Sequence, residues 1–244
     1  MTSIGVRVPF QPRRRAARPR RAAALAPVTP PEQGREGSRR VINLVVAALG
    51  LVASAPLMLL IAVTIKLTSR GPALYTQTRV GLDRRGADGN KPKTRRRADL
   101  GGRPFRIYKF RTMRLEPLGS EAWARPDDPR VTPVGRMLRR TRLDELPQLW
   151  NVLLGDMNIV GPRPEQPGIF VNLRQQIDRY CDRQRVRPGI TGWAQINHRY
   201  DQCLDDVRRK VALDLEYIAR QSPLEDLKIM ALTVPVMVLR KGSQ

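Results

Sequence analysis

Asp144 and Glu145 stand side by side in RTRLDELPQLW, directly after an arginine cluster and just before Pro147. The first residues of a helix expose free N–H groups and the positive end of the dipole, which attract phosphate and stabilise a carboxylate. Arg139, Arg140 and Arg142 add positive charge around the pair. A carboxylate held there stays ionised at neutral pH and can coordinate a divalent cation or act as a nucleophile. Taken alone, the dipeptide reads first as ordinary helix-start chemistry, with Asp144 as N-cap and Glu145 as a dipole-favoured neighbour.

Three further stretches carry groups of the same kind. In GDMNIVGPRPEQP the turn residues Gly161, Pro162 and Pro164 bracket Arg163 and hold its guanidinium on a rigid backbone. A planar fork so placed suits phosphate or a uracil-type carbonyl. In VRPGITGWAQIN, glycine turns present Arg187, Trp193 and Gln195, and in IYKFRTM alternation puts Lys109 and Arg111 on one strand face, opposite Phe110. The plain alternatives are a solvated arginine in a proline-rich connection and a core tryptophan.

Composition removes the competing chemistries. The chain has a single histidine, His198, and its two cysteines, Cys181 and Cys203, fit no metal or redox spacing. A histidine-based triad, a zinc site and a disulfide framework are thereby excluded, so carboxylates must do the nucleophilic or acid–base work. A formal net charge of +23 over 244 residues attracts anions: nucleic acid, phosphate-bearing substrates or an acidic membrane face.

The elements that must position these residues follow from pattern. Residues 1–38, rich in Arg, Pro and Ala, lack periodicity and read as a disordered basic tail. Val41 to Ile65 contains no charged residue and is long enough to enter a bilayer. Pro56 near its middle kinks a helix, and basic flanks on both sides (Arg39 and Arg40, then Lys66 and Arg70) give no preferred side for crossing. A spanning helix and a re-entrant one are both open on these grounds. GPALYTQTRVG and RPFRIYKFRTM alternate as strands, separated by a polar loop over Asp83 to Arg103. Thr132 and Pro133 open a short helix to Thr141; Asp144 to Leu154 reads as the next, with Asp144 as cap. Helices over much of Glu165 to Gln184 and over Leu204 to Gln221 follow. The apolar end, interrupted by Pro235, is suited to the membrane interface.

The ordered set FRIYKFRTM, DDPRVTPVGRMLRRTRLDELPQLWNVLLGDMNIVGPRP, VRPGITGWAQIN and KVALDLEYI resembles the bacterial sugar transferases, the monotopic phosphoglycosyl transferases that begin polyprenyl-linked glycan assembly. The resemblance runs from about Arg39 to the C-terminus. It implies transfer of a phosphosugar from a UDP-sugar to undecaprenyl phosphate with release of UMP, initiating exopolysaccharide or other glycoconjugate synthesis. By motif position it implies a covalent mechanism with Asp144 as nucleophile and Mg2+ ligand. Glu145 becomes its partner in metal or proton handling, and Arg139 a phosphate holder. Arg163 lies near the nucleotide, and Lys109, Arg111, Gly161, Pro162 and Arg187 complete a substrate-binding set. It also implies an α+β, mostly helical fold: a re-entrant membrane helix hairpin over 39–68 broken at Pro56, then a catalytic domain over 69–244 with a small β-hairpin and interfacial helices. That domain is expected on the cytoplasmic face of the bacterial inner membrane, against anionic lipid.

Three departures stand out. The proline break is Ala55-Pro56, with Ser54 one position earlier, where the family commonly has Ser-Pro. The loop over 83–103 is long, and the basic tail has no family role. With little chain before the membrane segment, the expectation is a minimal catalytic form. No nucleic-acid partner is expected. The rival reading, a membrane-tethered basic module binding nucleic acid or anionic lipid, explains charge and anchor but not the linked motifs. The sugar is not readable, and a homodimer is left open.

Overall fold

The computed structural model describes residues 33–83, 101–114, 128–198 and 203–239. The basic tail and the loop expected over Asp83 to Arg103 therefore lie almost wholly outside the described residues.

The apolar segment forms α1, Gln33–Thr68, one continuous helix that passes through Pro56. Where a hairpin over 39–68 was expected, the residues form a single helix. Pro56 deprives the Val52 carbonyl of its helical donor. Two residues before Pro56 the Ser54 hydroxyl donates to the Gly50 carbonyl at 2.6 Å, a back-bond of the kind that bends helices. Ser54 thus keeps a backbone bond although it stands one position before the usual place. Asn43, Ala47, Ile61 and Ile65 are buried against the rest of the protein, whereas Val45, Leu49, Val52, Leu59, Leu60 and Val63 are exposed. An apolar outer face of that extent belongs against lipid or another protein.

Both ends of α1 are bolted to the same body. Arg39, only 3% exposed, donates to Asp226 at 2.8 Å, to Gln221 at 2.5 Å and to the Tyr217 hydroxyl at 2.7 Å. Arg40 donates to the carbonyls of Val152 and Leu153 at 2.7 and 3.0 Å. The basic flank before the apolar segment is therefore partly an internal clamp. Beyond the other end, Arg111 donates to the carbonyls of Arg70 and Ser69 at 2.5 and 2.8 Å.

Strands β1 (Leu74–Val80) and β2 (Pro104–Phe110) pair antiparallel, with Tyr75 opposite Lys109, Gln77 opposite Ile107 and Arg79 opposite Phe105. Helices α2 (Pro133–Thr141) and α3 (Gln148–Leu154) follow, joined through a 3-10 turn at Leu143–Glu145. Two very short strands, β3 (Asn158–Val160) and β4 (Gly189–Thr191), pair in parallel, an element the sequence does not announce. Between them the helix expected over Glu165 to Gln184 is two pieces, α4 (Pro167–Gln176) and a 3-10 stretch (Tyr180–Arg185), broken before Arg179, whose φ is 60°. The short α5 (Trp193–Asn197) leads to α6 (Leu204–Arg220) and α7 (Pro223–Leu239), the last running through Pro235.

The main core gathers Val152, Met157, Val160, Phe170 and Tyr180 against Val207, Val211, Leu215 and Ile218, which recur on one face of α6. A smaller cluster of Ile61, Ile65, Phe110 and Leu138, with Leu143 and Leu146 packed on it, joins the end of α1 to α2 and β2. The turn that carries the candidate carboxylates is thus packed, through Leu143 and Leu146, on the cluster at the end of α1. On α7, Leu224 and Val234 are 79% and 63% exposed.

Candidate active site

Local sequence fixes the carboxylates. Thr132 caps α2 by accepting from the Gly135 N–H at 2.9 Å, and Pro133 stands in its first turn, as the Thr-Pro pair predicts. Arg142 ends the helix in the left-handed region at φ 59°, a conformation that costs a non-glycine residue about 1 kcal/mol. That reversal turns Leu143–Glu145 inward, and Asp144 and Glu145 are 8% and 7% exposed. Asp144 is therefore not an N-cap: α3 begins at Gln148, behind Pro147.

The two neighbours are treated oppositely. Glu145 accepts from Lys109 Nζ at 3.1 Å and from Arg163 Nη2 at 2.5 Å on the same oxygen, with Arg163 Nη1 at 3.4 Å from the other. Burial alone would push its pKa up, but Arg163 and Lys109 hold it well below the usual carboxylate value. Asp144 has no hydrogen bond among the described residues. Burial first, then repulsion from Glu145, raise its pKa to about 6 against the pull of Lys109, Arg163 and Arg139. One carboxylate is locked and charged. The other is unpaired, ringed by cations and mostly ionised at neutral pH.

The cations come from three elements. Lys109 projects from β2, and burial lowers its pKa while Glu145 opposes the fall. Arg139, in the last turn of α2, is oriented by a 2.9 Å bond from Nε to the Thr112 hydroxyl. Arg163 follows β3, and its turn is held backbone to backbone: the Gly161 N–H donates to Thr191 O at 2.9 Å and the Gly189 N–H to Pro162 O at 3.0 Å. A Cβ on Gly189 would lie 2.0 Å from Gly161 N, so no side chain fits there. Gly161 and Pro162 act through this frame.

A layer behind the turn escaped the sequence reading. Arg183, 2% exposed, donates to Arg163 O at 3.0 Å and to Asp214 at 2.7 Å. Arg79 donates to Pro164 O at 3.2 Å, and Glu165, paired with Lys210 at 2.9 Å, accepts the Val80 N–H through its carbonyl. The one available signal was strand alternation, which puts Arg79 on the face of Lys109.

The structure brings together Asp144, Glu145, Lys109, Arg139 and Arg163. It does not bring Arg111 or Arg187 to them. Arg111 holds the end of α1, and Arg187 binds Gly155 O at 3.1 Å and the Glu36 carboxylate. Trp193 donates to Glu216 at 3.3 Å beneath Arg220, which lies 4.3 Å over its ring. Gln195 accepts from Arg163 at 3.4 Å.

No cluster of three or more metal-ligating side chains occurs among the described residues. Mg2+ needs only one or two carboxylates when substrate phosphates complete its shell. Unpaired Asp144 fits that role; Glu145 is occupied by Lys109 and Arg163.

The chain is similar to known proteins over most of its length. Residues 35–240 match the family described as bacterial sugar transferase. A UDP-glucose:undecaprenyl-phosphate glucose-1-phosphate transferase of Escherichia coli is 42% identical over 199 residues, 80% of this chain and 39% of that protein. A protein of the same name from Caulobacter vibrioides is 42% identical over 203 residues, 82% of this chain and 69% of that protein. A UDP-N-acetylgalactosamine-undecaprenyl-phosphate N-acetylgalactosaminephosphotransferase of Aeromonas hydrophila is 39% identical over 208 residues, 84% of this chain and 45% of that protein. The chain thus spans less than half the length of the Escherichia coli and Aeromonas relatives.

Proposed function

The chain belongs to the bacterial sugar transferase family, and from that membership we propose that it is a membrane phosphoglycosyl transferase. It moves a phosphosugar from a UDP-sugar to undecaprenyl phosphate and releases UMP, opening the assembly of an exopolysaccharide or other glycoconjugate. The observation that carries the reading is Asp144: a buried, unpaired carboxylate near neutrality among Lys109, Arg139 and Arg163.

In the first half-reaction an Asp144 oxygen attacks the sugar-bearing phosphorus. A P–O bond to Asp144 forms, the bond from that phosphorus to the bridging oxygen breaks, and the electron pair leaves with UMP. In the second, a phosphate oxygen of undecaprenyl phosphate attacks the same phosphorus and Asp144 returns as a carboxylate. Splitting the displacement this way lets a soluble donor and a membrane acceptor use one site in turn. Lys109, Arg139 and Arg163 offset charge as the bonds exchange. Glu145, ion-paired at 3.1 and 2.5 Å, positions two of these cations, a role other than the metal or proton handling the resemblance implied. Asp144 would also hold Mg2+, which supplies further neutralisation of the diphosphate when bound.

The clamps on α1 support a re-entrant membrane arrangement. Arg39 and Arg111 tie opposite ends of the helix to one charged domain, which supports a helix that enters and leaves on the cytoplasmic side. Its apolar outer face, with exposed Trp150 and Leu154 nearby on α3, faces the inner-membrane lipid, and the basic surface favours anionic headgroups.

The test is UMP release from protein in lipid nanodiscs with Mg2+, undecaprenyl phosphate and a panel of UDP-sugars that includes glucose and N-acetylgalactosamine. UMP formed in step with lipid-linked phosphosugar supports the reading and names the sugar. No nucleotide release from any donor, with tight salt-sensitive DNA binding, returns the protein to the basic-module class.

A further inference from the structure

Arg79 is a half-buried cation that the mechanism above does not use. It lies on β1 opposite Phe105, on the face that carries Lys109 on β2. Its Nη2 donates to Gln77 Oε1 at 2.7 Å and its Nη1 to Pro164 O at 3.2 Å, both neutral acceptors. Its Nε is buried without a partner. No carboxylate among the described residues forms an ion pair with it. Glu165, the nearest in electrostatic effect, is committed to Lys210 at 2.9 Å with Arg183 at 3.9 Å. Glu145 is committed to Lys109 and Arg163.

Such an arrangement is costly in an empty protein. A half-buried guanidinium with one nitrogen shut from water and no counter-ion loses hydration and gains little back, and here like charges on Arg163 and Lys109 act on it. Arg79, Lys109, Arg139 and Arg163 together outnumber Asp144 and Glu145. The missing partner is an anion that arrives from outside.

Position separates Arg79 from the other three. Lys109 lies opposite Tyr75 and reaches Glu145, the neighbour of the nucleophile, whereas Arg79 lies opposite Phe105, further along the strand pair, and reaches the Pro164 carbonyl just past Arg163. It is thus offset from Lys109 along the hairpin, on the far, Pro164 side of the Arg163 turn. In a diphosphate whose near phosphorus is attacked by Asp144, the group on that far side is the phosphate that departs with the nucleotide.

We propose that Arg79 binds the nucleotide-side phosphate of the donor and stabilises the charge that develops there as UMP leaves, with Gln77 holding its guanidinium in place. The inference rests on the phosphoglycosyl transferase reading. It assigns Arg79 to the first half-reaction alone, since UMP has gone before the acceptor attacks.

The half-reactions are measured separately with parent, Arg79→Lys and Arg79→Gln proteins in nanodiscs. UMP release without acceptor reports the first, and delivery from preformed phosphosugar-enzyme to undecaprenyl phosphate, after UMP is removed, reports the second. Arg79→Gln is expected to slow the first at least about tenfold and weaken UMP inhibition by a similar factor, the scale of one charge-assisted hydrogen bond. The second should stay within about twofold of the parent, and Arg79→Lys should recover part of the loss. Equal losses in both half-reactions make Arg79 a structural support of the Pro164 turn and overturn the assignment. So does an unchanged first half-reaction. If the parent itself releases no UMP, the failure lies with the enzyme reading.

Discussion

Glu145→Gln keeps the size of the side chain and removes its charge, and the consequences fall on Asp144. In the native site Glu145 repels Asp144 and holds Lys109 at 3.1 Å and Arg163 at 2.5 Å. Neighbouring carboxylates about 6 Å apart in an effective dielectric of about 20 repel by about 3 kcal/mol, or about two pKa units. Loss of that repulsion brings Asp144 down from about 6 toward the ordinary carboxylate range. The released Lys109 and Arg163 then pair with Asp144 and move it further in the same direction. Asp144 attacks as the anion, so the parent's first half-reaction should fall about tenfold per pH unit below about pH 6. In the variant this acid limb should lie at least one unit lower. Its plateau should also drop by about 10- to 100-fold, because a charge-assisted hydrogen bond of about 1.5–3 kcal/mol must break before attack. Rapid-quench UMP release without acceptor, from about pH 4.5 to pH 8, measures both quantities. An acid limb that stays in place or moves upward would refute the division of labour between the two carboxylates.

Three further outcomes are expected. Arg39→Ala leaves Asp226 buried without its cation and should cost about 3–5 kcal/mol, read as a fall in the thermal midpoint in nanodiscs; an unchanged midpoint contradicts the clamp. Arg111→Ala frees the Ser69 and Arg70 carbonyls and should lower stability by about 1–3 kcal/mol while leaving the donor KM within about twofold, whereas a large KM rise returns Arg111 to the substrate set. Gly37→Cys, where an added Cβ meets nothing within 4 Å, and Thr68→Cys, in a background lacking Cys181 and Cys203, should be labelled from the same face of sealed vesicles. Labelling from opposite faces makes α1 a spanning helix.

What the sequence made legible was local. Thr132-Pro133 specifies its own cap, the alternating TQTRV and FRIYKF specify a hairpin, and GPRP specifies a rigid turn. The inward turn of Asp144 was hidden because it depends on Arg142 adopting a positive φ, which nothing in an arginine announces. The β3–β4 pair is too short for periodicity to register, and its parallel partners lie far apart in sequence. Arg111 and Arg187 carry the right chemistry in the right motifs, but the helix end and the loop carbonyls claim them. Arg39 shows the reverse. A residue read as a basic flank of the apolar segment is buried because Tyr217 of α6, Gln221 just after it and Asp226 of α7 close on it. Long-range partners decide such cases, and a linear pattern does not contain them.

The central claim is that Asp144 carries the phosphosugar between the two half-reactions. Intact-mass analysis after incubation with a UDP-sugar and Mg2+, acceptor withheld and the reaction quenched in acid, tests it most directly. One added phosphosugar, mapped to the peptide holding Asp144, lost on addition of undecaprenyl phosphate and absent in Asp144→Asn, is the predicted result. An adduct on another residue, or lipid-linked product formed at the parent rate by Asp144→Asn, would contradict the account.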